Sequence, residues 1–237
     1  MILAAGRGER MRPLTDATPK PLLEVRGKPL MQWPIEALAA GGFDELVVNT
    51  DWLGAQIAAR FGERHAASDI RYSHEGLDFG GALETAGGIA RALPLLGDVF
   101  WVVAGDVFAP DFVFSQSMVD RFTASGRLAH LWLVPNPPHN TGGDFALTED
   151  GLALNQAAGA SAPRHTFSTI ALYRSALFAP PRCDIPAGNP EGVRAALAPL
   201  LRSAITDRQV SAEIYYGPWT DVGTPQRLAA LNNAAAR

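Results

Sequence analysis

Residues 3–21 read LAAGRGERMRPLTDATPKP. The stretch opens as a short buried strand, Met1–Ala4, and breaks at Gly6-Arg7-Gly8, where missing side chains let backbone amides approach a ligand. Arg7, Arg10 and Arg12 follow, then Lys20 between Pro19 and Pro21. The prolines predict extended, rigid backbone around Lys20, which would aim its long flexible side chain from the base. A nucleoside triphosphate carries roughly four negative charges, and glycine amides with nearby Arg and Lys suit it. On spacing alone, a solvated Gly/Arg turn fits as well. The dinucleotide fingerprint is excluded, because its third glycine is missing and Pro13 forbids a helix directly after the loop. No Gly-Lys-Ser/Thr occurs, so this is not a Walker loop either.

Working outward, residues 5–30 predict one long loop, a length usually kept for function. Gln32–Ala40 predicts a helix stopped by Gly41-Gly42. Strand and helix then alternate: Glu45–Asn49, Leu53–Phe61, Ile70–Ser73, Thr85–Leu93, Val99–Ala104, Phe112–Ser125 and Leu128–Val134. Strands this apolar, alternating with helices, predict an α/β, Rossmann-like fold: a mostly parallel central sheet with helices on both faces. After residue 135 the pattern loosens into strands near Asp144–Leu147 and Phe167–Tyr173. A helix over Glu191–Ala204, a strand over Val210–Tyr216 and a closing helix over Pro225–Ala236 follow. The expectation is one domain over 1–237, with a nucleotide-binding half to about residue 135. A smaller sugar-binding and closing half covers about 136–237.

Composition bounds the function. Of 237 residues, 47% are apolar, enough for a substantial core. The net charge is −4, so general nucleic-acid binding is not expected and any anionic ligand must be met by a few placed cations. The single cysteine, Cys183, excludes an internal disulfide. No run of about 18 apolar residues and no signal-peptide pattern is present, so a cytoplasmic protein without membrane partners is expected.

The loop resembles the signature of the sugar-nucleotide pyrophosphorylases, the sugar-1-phosphate nucleotidyltransferases, which reads L-A-A-G-x-G-x-R-M/L-x-P-L-T followed by P-K-P. The resemblance continues through Gly105-Asp106, Gly143-Asp144-Phe145 and Trp219-Thr220-Asp221-Val222-Gly223-Thr224, nearly the whole chain. It implies the nucleotide-diphospho-sugar transferase type of fold. It also implies Arg10, Lys20 and Asp106 as catalytic residues, Asp106 and Asp221 as ligands of Mg²⁺, and Ala5, Gly6, Gly8, Gly87 and Gly88 around the nucleotide. Arg10 is expected at the β- and γ-phosphates and Lys20 at the sugar phosphate or α-phosphate. Two departures stand out. Met1 lies inside the first strand, where family members carry one to three earlier residues. The β-helix tail of longer members, with its hexapeptide repeat, is absent, so no acyltransferase activity is expected.

Residue by residue, plainer readings stay open. Taken alone, Asp106 and Asp221 read as turn residues or helix caps. Glu84-Thr85 in GGALETAGG (80–88) is also an ordinary helix start. Gly143-Asp144, Thr166 and Ser168 are candidate sugar contacts, and a turn explains the first pair as well. Within the family, the short length, G-D-F and T-F-S look most like members that join UTP to N-acetylmuramate 1-phosphate in cell-wall recycling. Members that join GTP to mannose 1-phosphate are the rival. Arg164 is a candidate partner for the extra carboxylate of the muramate sugar, or a solvated arginine. A non-catalytic nucleotide-sugar sensor would need no pair of metal ligands. A glycosyltransferase would show Asp-x-Asp after the strand, whereas Val107 and Phe108 follow Asp106.

Overall fold

The computed structural model describes residues 1–156 and 162–234. In chain order its strands are β1 (Ile2–Ala4), β2 (Glu24–Val25), β3 (Lys28–Pro29), β4 (Glu45–Thr50), β5 (Arg64–His65), β6 (Ser68–His74) and β7 (Val99–Ala104). These are followed by β8 (Val107–Phe108), β9 (Ala129–Val134), β10 (Phe145–Leu147), β11 (Ala153–Leu154), β12 (Arg164–Arg174), β13 (Val210–Ile214) and β14 (Thr220–Asp221). The helices are α1 (Gln32–Ala40), α2 (Gly54–Phe61), α3 (Glu75–Phe79), α4 (Glu84–Ala92), α5 (Gln116–Ser125), α6 (Leu197–Thr206) and α7 (Pro225–Ala234). Contacts gather these elements into two compact units, both discontinuous in sequence. The first holds 1–83, 103–116 and 218–237; the second holds 84–102 and 117–217.

The first unit is built on parallel pairing. Strand β1 lies between β4 and the end of β7, parallel to both, with Leu3 opposite Asn49 and Ala104. Strand β4 continues in parallel to β6, and β5 closes that edge antiparallel. Leu46, Val47, Val48 and Ile2 are all buried, as strands covered on both faces require. The long loop is not featureless. It folds into three 3₁₀ turns, Glu9–Met11, Leu14–Asp16 and Lys20–Leu22, followed by the β2–β3 ribbon. Beneath it, Met11, Val25, Leu30, Phe108 and Val222 form an apolar cluster completed by Leu23, Trp33, Leu228 and Leu231. Helix α7 is tied down by Asn232, whose amide caps the ribbon at Arg26 N (2.7 Å) and Glu24 O (3.1 Å).

The second unit is mixed. Strand β9 pairs antiparallel with β12 and parallel with β13, and β10 joins β12 to β11 antiparallel. Two expected boundaries move. Helix α6 begins at Leu197 instead of Glu191, because Asn189 turns the chain first. Its fully buried side chain accepts from Val193 N (2.8 Å) and donates to Val193 O (2.9 Å) and Gly87 O (3.1 Å). A side chain that offers the backbone both a donor and an acceptor competes with the helix. Helix α5 likewise starts at Gln116, after the packed rings of Phe112 and Phe114. The predicted end of the closing helix, residues 235–236, lies outside the described residues. Among those residues no helix is long and apolar enough to cross a membrane.

Strands β9 and β13 carry two partly buried polar contacts in this unit. His130 Nδ1 meets Ser211 Oγ at 2.8 Å, and Trp132 Nε1 donates to Glu213 at 2.5 Å. Burial holds the His130 imidazole down to about 4, outweighing the opposite pull of Glu213, with Arg121 and Arg127 assisting. An unfolded histidine titrates near 6.5. Between those values protonation therefore favours the unfolded chain, so stability is complete above about pH 6.5 and declines as the pH falls toward 4. His130→Gln is expected to flatten that decline in thermal melts. A slope identical to that of the parent would place the acid sensitivity on other groups.

Candidate active site

The apolar cluster explains how one loop, one strand end and one late strand come to share a surface in the first unit. Each contributes an apolar residue to the cluster and a charged neighbour beside it: Met11 next to Arg10, and Val222 next to Asp221. Asp106 stands just before the β8 strand that ends in Phe108. Strand β14 pairs antiparallel with β8, Asp221 opposite Val107, and Val222 N donates to Asp106 O at 2.9 Å. Two aspartates far apart in sequence thus sit on directly hydrogen-bonded backbone. Gly105 makes the approach possible: its N–H reaches Leu3 O at 2.8 Å, and a Cβ there would press to 3.0 Å from that oxygen.

Lys20 forms an ion pair with the Asp106 carboxylate; the lysine side chain is 9% exposed and the aspartate 35%. Its stem is fixed by Gly8. Gly8 adopts φ +68, and a Cβ there would stand 3.2 Å from Lys20 Cβ and 3.1 Å from Thr15 Cγ2. Thr15 is fully buried and donates to Gly8 O at 2.8 Å. The backbone differs from expectation here. Pro19 is extended, but Lys20 opens a 3₁₀ turn closed by Leu22 N to Pro19 O (2.9 Å). The side chain is aimed by that turn and by Gly8, with proline stiffness holding only the entry. Arg7 is fixed as well. Its guanidinium lies 3.7 Å from the Trp52 ring centroid and donates to Thr15 O at 3.0 Å, the same oxygen that Trp52 Nε1 reaches at 3.0 Å. Trp52 is therefore a platform for the Arg7 guanidinium. Arg10 is exposed, as is Gly6, whereas Ala5 is buried at the end of β1.

Asp221, 26% exposed, has a partner that sequence reasoning missed. Arg227, in the first turns of α7, donates through Nη1 to both the carboxylate (2.5 Å) and the carbonyl (2.8 Å) of Asp221. Gly223 leaves room for this: a Cβ there would lie 3.0 Å from Arg227 Nη2 and 3.2 Å from Arg10 Nη2. A basic residue six positions after Asp221 in a predicted helix was the available signal. Both carboxylates therefore carry a cationic partner. Among the described residues no three His, Cys, Asp or Glu side chains gather into a metal cage. Two oxygen donors on paired backbone still suit Mg²⁺, which commonly takes one or two carboxylates and fills its shell with water and substrate phosphates.

The remaining candidates lie in the second unit. Gly87 and Gly88 are buried inside α4, and the N–H groups of Ala86 and Gly87 both go to Ala195 O (2.9 and 3.1 Å). Glu84, which opens that helix, is held at φ +60. Gly143 adopts φ +60 in a tight turn, where a Cβ would come within 2.9 Å of His165 N and Asn136 Oδ1. Asp144 Oδ2 accepts from Phe167 N (2.8 Å) and Asn140 (3.2 Å), and Arg164 Nη2 donates to Asp144 O (2.9 Å). Thr166 bonds Asn136 and Asn140, while Ser168 is fully buried, donating to Trp132 O at 2.6 Å.

The family model for nucleotidyl transferases matches residues 1–145. The chain is 47% identical, over 96% of its length and 94% of the relative's, to the N-acetylmuramate alpha-1-phosphate uridylyltransferase of Neisseria meningitidis serogroup B. The chain belongs to the nucleotidyl transferase family. A second relative of this nucleotidyl transferase, the N-acetylmuramate alpha-1-phosphate uridylyltransferase of Caulobacter vibrioides, is 34% identical over 97% of this chain and 94% of that one. The fold is shared with a putative glucose-1-phosphate thymidylyltransferase from Bacillus anthracis. The TM-score is 0.77 at 20% identity, covering 99% of this chain and 93% of the other. That likeness establishes the nucleotide-diphospho-sugar transferase type of fold for the nucleotidyl transferase described here.

Proposed function

We propose that this nucleotidyl transferase joins UTP to N-acetylmuramate 1-phosphate, releasing pyrophosphate and forming the UDP-sugar, a step in the recycling of cell-wall sugar. The observation that carries the reaction is the joining, at the carboxyl end of the β-strands, of a Lys20–Asp106 pair to Asp221 on the adjoining strand. Ligands of open α/β sheets bind at that end. In the reaction an oxygen of the sugar phosphate attacks the α-phosphorus, and the bond to the β-phosphate oxygen breaks, its electron pair leaving with pyrophosphate. A phosphate monoester is largely dianionic at neutral pH, its second pKa being near 6, so no general base is required. The chain's task is to bring two anions into line and offset their repulsion. Lys20 serves the phosphates at the reacting centre, and Arg10 the departing pyrophosphate. Asp106 and Asp221 would hold Mg²⁺, which when bound supplies charge neutralisation at those oxygens.

The substrate pair is supported by the two relatives named above, each matched over 94% of its own length. The sugar end is placed in this reading at the Gly143-Asp144 turn, with Thr166 and Ser168 fixing the strand behind it and Arg164 offering a guanidinium to the lactyl carboxylate. The nucleotide base falls to the segment leading into Gly87 and Gly88. The test is kcat/KM for N-acetylmuramate 1-phosphate, N-acetylglucosamine 1-phosphate and mannose 1-phosphate, each with UTP and GTP. The first with UTP is expected to lead by about tenfold or more, ~1.4 kcal/mol. A preference for mannose 1-phosphate with GTP would overturn the substrate pair and leave the reaction class standing.

A further inference from the structure

A chain of buried hydrogen bonds crosses the carboxyl ends of three neighbouring strands in the first unit. It starts at the last residue of β1, where Ala4 N donates to Asn49 Oδ1 at 2.9 Å. Asn49, near the end of β4, donates through Nδ2 to Glu75 Oε1 at 2.7 Å. Glu75 follows directly on the end of β6, and its other oxygen accepts from Leu83 N at 2.7 Å. Beside it, Asp51 Oδ2 accepts from Ala82 N at 3.0 Å. Asp51 is packed so closely on Gly76 that a Cβ there would fall 2.3 Å from its Oδ1. Glu75 is 0% exposed, Asn49 3% and Leu83 1%.

A fully buried carboxylate is costly unless its oxygens are well bonded. The residue types here follow from direction. Asn49 must accept on one side and donate on the other, which an amide does. Glu75 must accept from both sides, which only a carboxylate does. The two ends of the relay are the strand that feeds the Gly6–Gly8 loop and the segment 80–83 that runs into α4. The β1–β4 and β4–β6 pairing runs in register through Ala4, Asn49 and Thr50, and the side-chain relay is added to it.

We infer that Glu75 is a positioning residue for the nucleotide: through Asn49 and the Leu83 amide it locks the segment 80–83 to the end of β1. The inference rests on the reading that these two segments receive the nucleotide. The decisive experiment exploits the relay's polarity. In Glu75→Gln the new amide N–H must face either the Asn49 amide or the Leu83 N–H, donor against donor, and in Asn49→Asp two carboxylates face each other. With both substitutions combined, the carboxylate at position 49 accepts from Ala4 N and from the new amide at position 75. The oxygen of that amide accepts from Leu83 N, so the relay is whole again with its charge moved.

KM for the nucleoside triphosphate that the wild type uses best, kcat and melting temperature are measured for the wild type and all three variants. Each single variant is expected to raise that KM about tenfold or more, with a smaller change in kcat. The double variant is expected to return it to within about threefold of wild type. A single variant that melts earlier yet keeps its KM, or a folded double variant with KM still raised, overturns the inference. Should the single variants fail to fold, the KM of the double variant decides alone. A wild type that turns over no nucleotide refutes the proposed function and the inference with it, an outcome separate from failure of the variants only.

Discussion

Replacing either Asp106 or Asp221 by alanine is expected to lower turnover by about three orders of magnitude, roughly 4 kcal/mol of lost transition-state stabilisation. Each supplies one of the two carboxylates on the hydrogen-bonded β8–β14 backbone, and no third acidic, histidine or cysteine ligand gathers there among the described residues to compensate. The fold is expected to survive, because both side chains are partly exposed and the apolar cluster beneath them is untouched. The two variants differ in what they strand. Asp106→Ala leaves the buried Lys20 ammonium without its partner, whereas Asp221→Ala leaves Arg227 bonded to the carbonyl of residue 221. Asp106→Ala is therefore expected to melt at the lower temperature of the two. Pyrophosphate release and thermal melts at saturating Mg²⁺ check both points. Near-normal turnover by either variant would remove that residue from the metal site.

What could be read in advance was local. Gly6 and Gly8, the arginines and the P-K-P tripeptide lie within one short stretch. A run such as Val99–Ala104 ending at Gly105-Asp106 announces a buried strand with a carboxylate at its end. The loop's internal form was not legible, because 3₁₀ turns are set by contacts such as Thr15 to Gly8 O, not by composition. The pairing of Asp221 with Val107 carries no local sign at all. It follows from where Phe108 and Val222 find a common cluster with Met11, three segments distant in the chain. The same non-locality hides the two discontinuous units behind a sequence that alternates smoothly.

Glu75 shows a different obstacle. In YSHEGLDFGG (72–81) a glutamate between histidine and glycine reads as an exposed turn residue, the usual fate of its type. Only the register of β1, β4 and β6, which stacks Ala4, Thr50 and His74 side by side, brings Asn49 and an orphan amide to it. Asn189 is a parallel case, since its neighbours Gly188 and Pro190 mark a turn but not a buried cap that delays α6.

Lys20→Ala is expected to reduce kcat/KM by about 10²–10³-fold, roughly 2.7–4 kcal/mol, the range for removing one preorganised donor from a developing negative charge. The structure makes the interpretation of this loss specific. Lys20 pairs with Asp106, so its removal acts on two things: the phosphate and the carboxylate. If Lys20 were only a counter-ion for Asp106, its loss would free that carboxylate for the metal. Mn²⁺ would then bind the protein at least as tightly as before, and activity would return as Mg²⁺ is raised. If Lys20 meets the phosphates at the reacting centre, Mn²⁺ binding is likewise kept or improved, but no Mg²⁺ concentration restores turnover. Lys20→Arg is expected to recover little. A planar guanidinium does not replace a compact ammonium, and the stem lies against Gly8, where a Cβ would already be only 3.2 Å from it. Titration of Mn²⁺ binding by electron paramagnetic resonance, set beside kcat/KM across Mg²⁺ concentrations, separates the two roles. Recovery of Lys20→Ala to within about tenfold of wild type at high Mg²⁺, ~1.4 kcal/mol, would reduce Lys20 to a counter-ion.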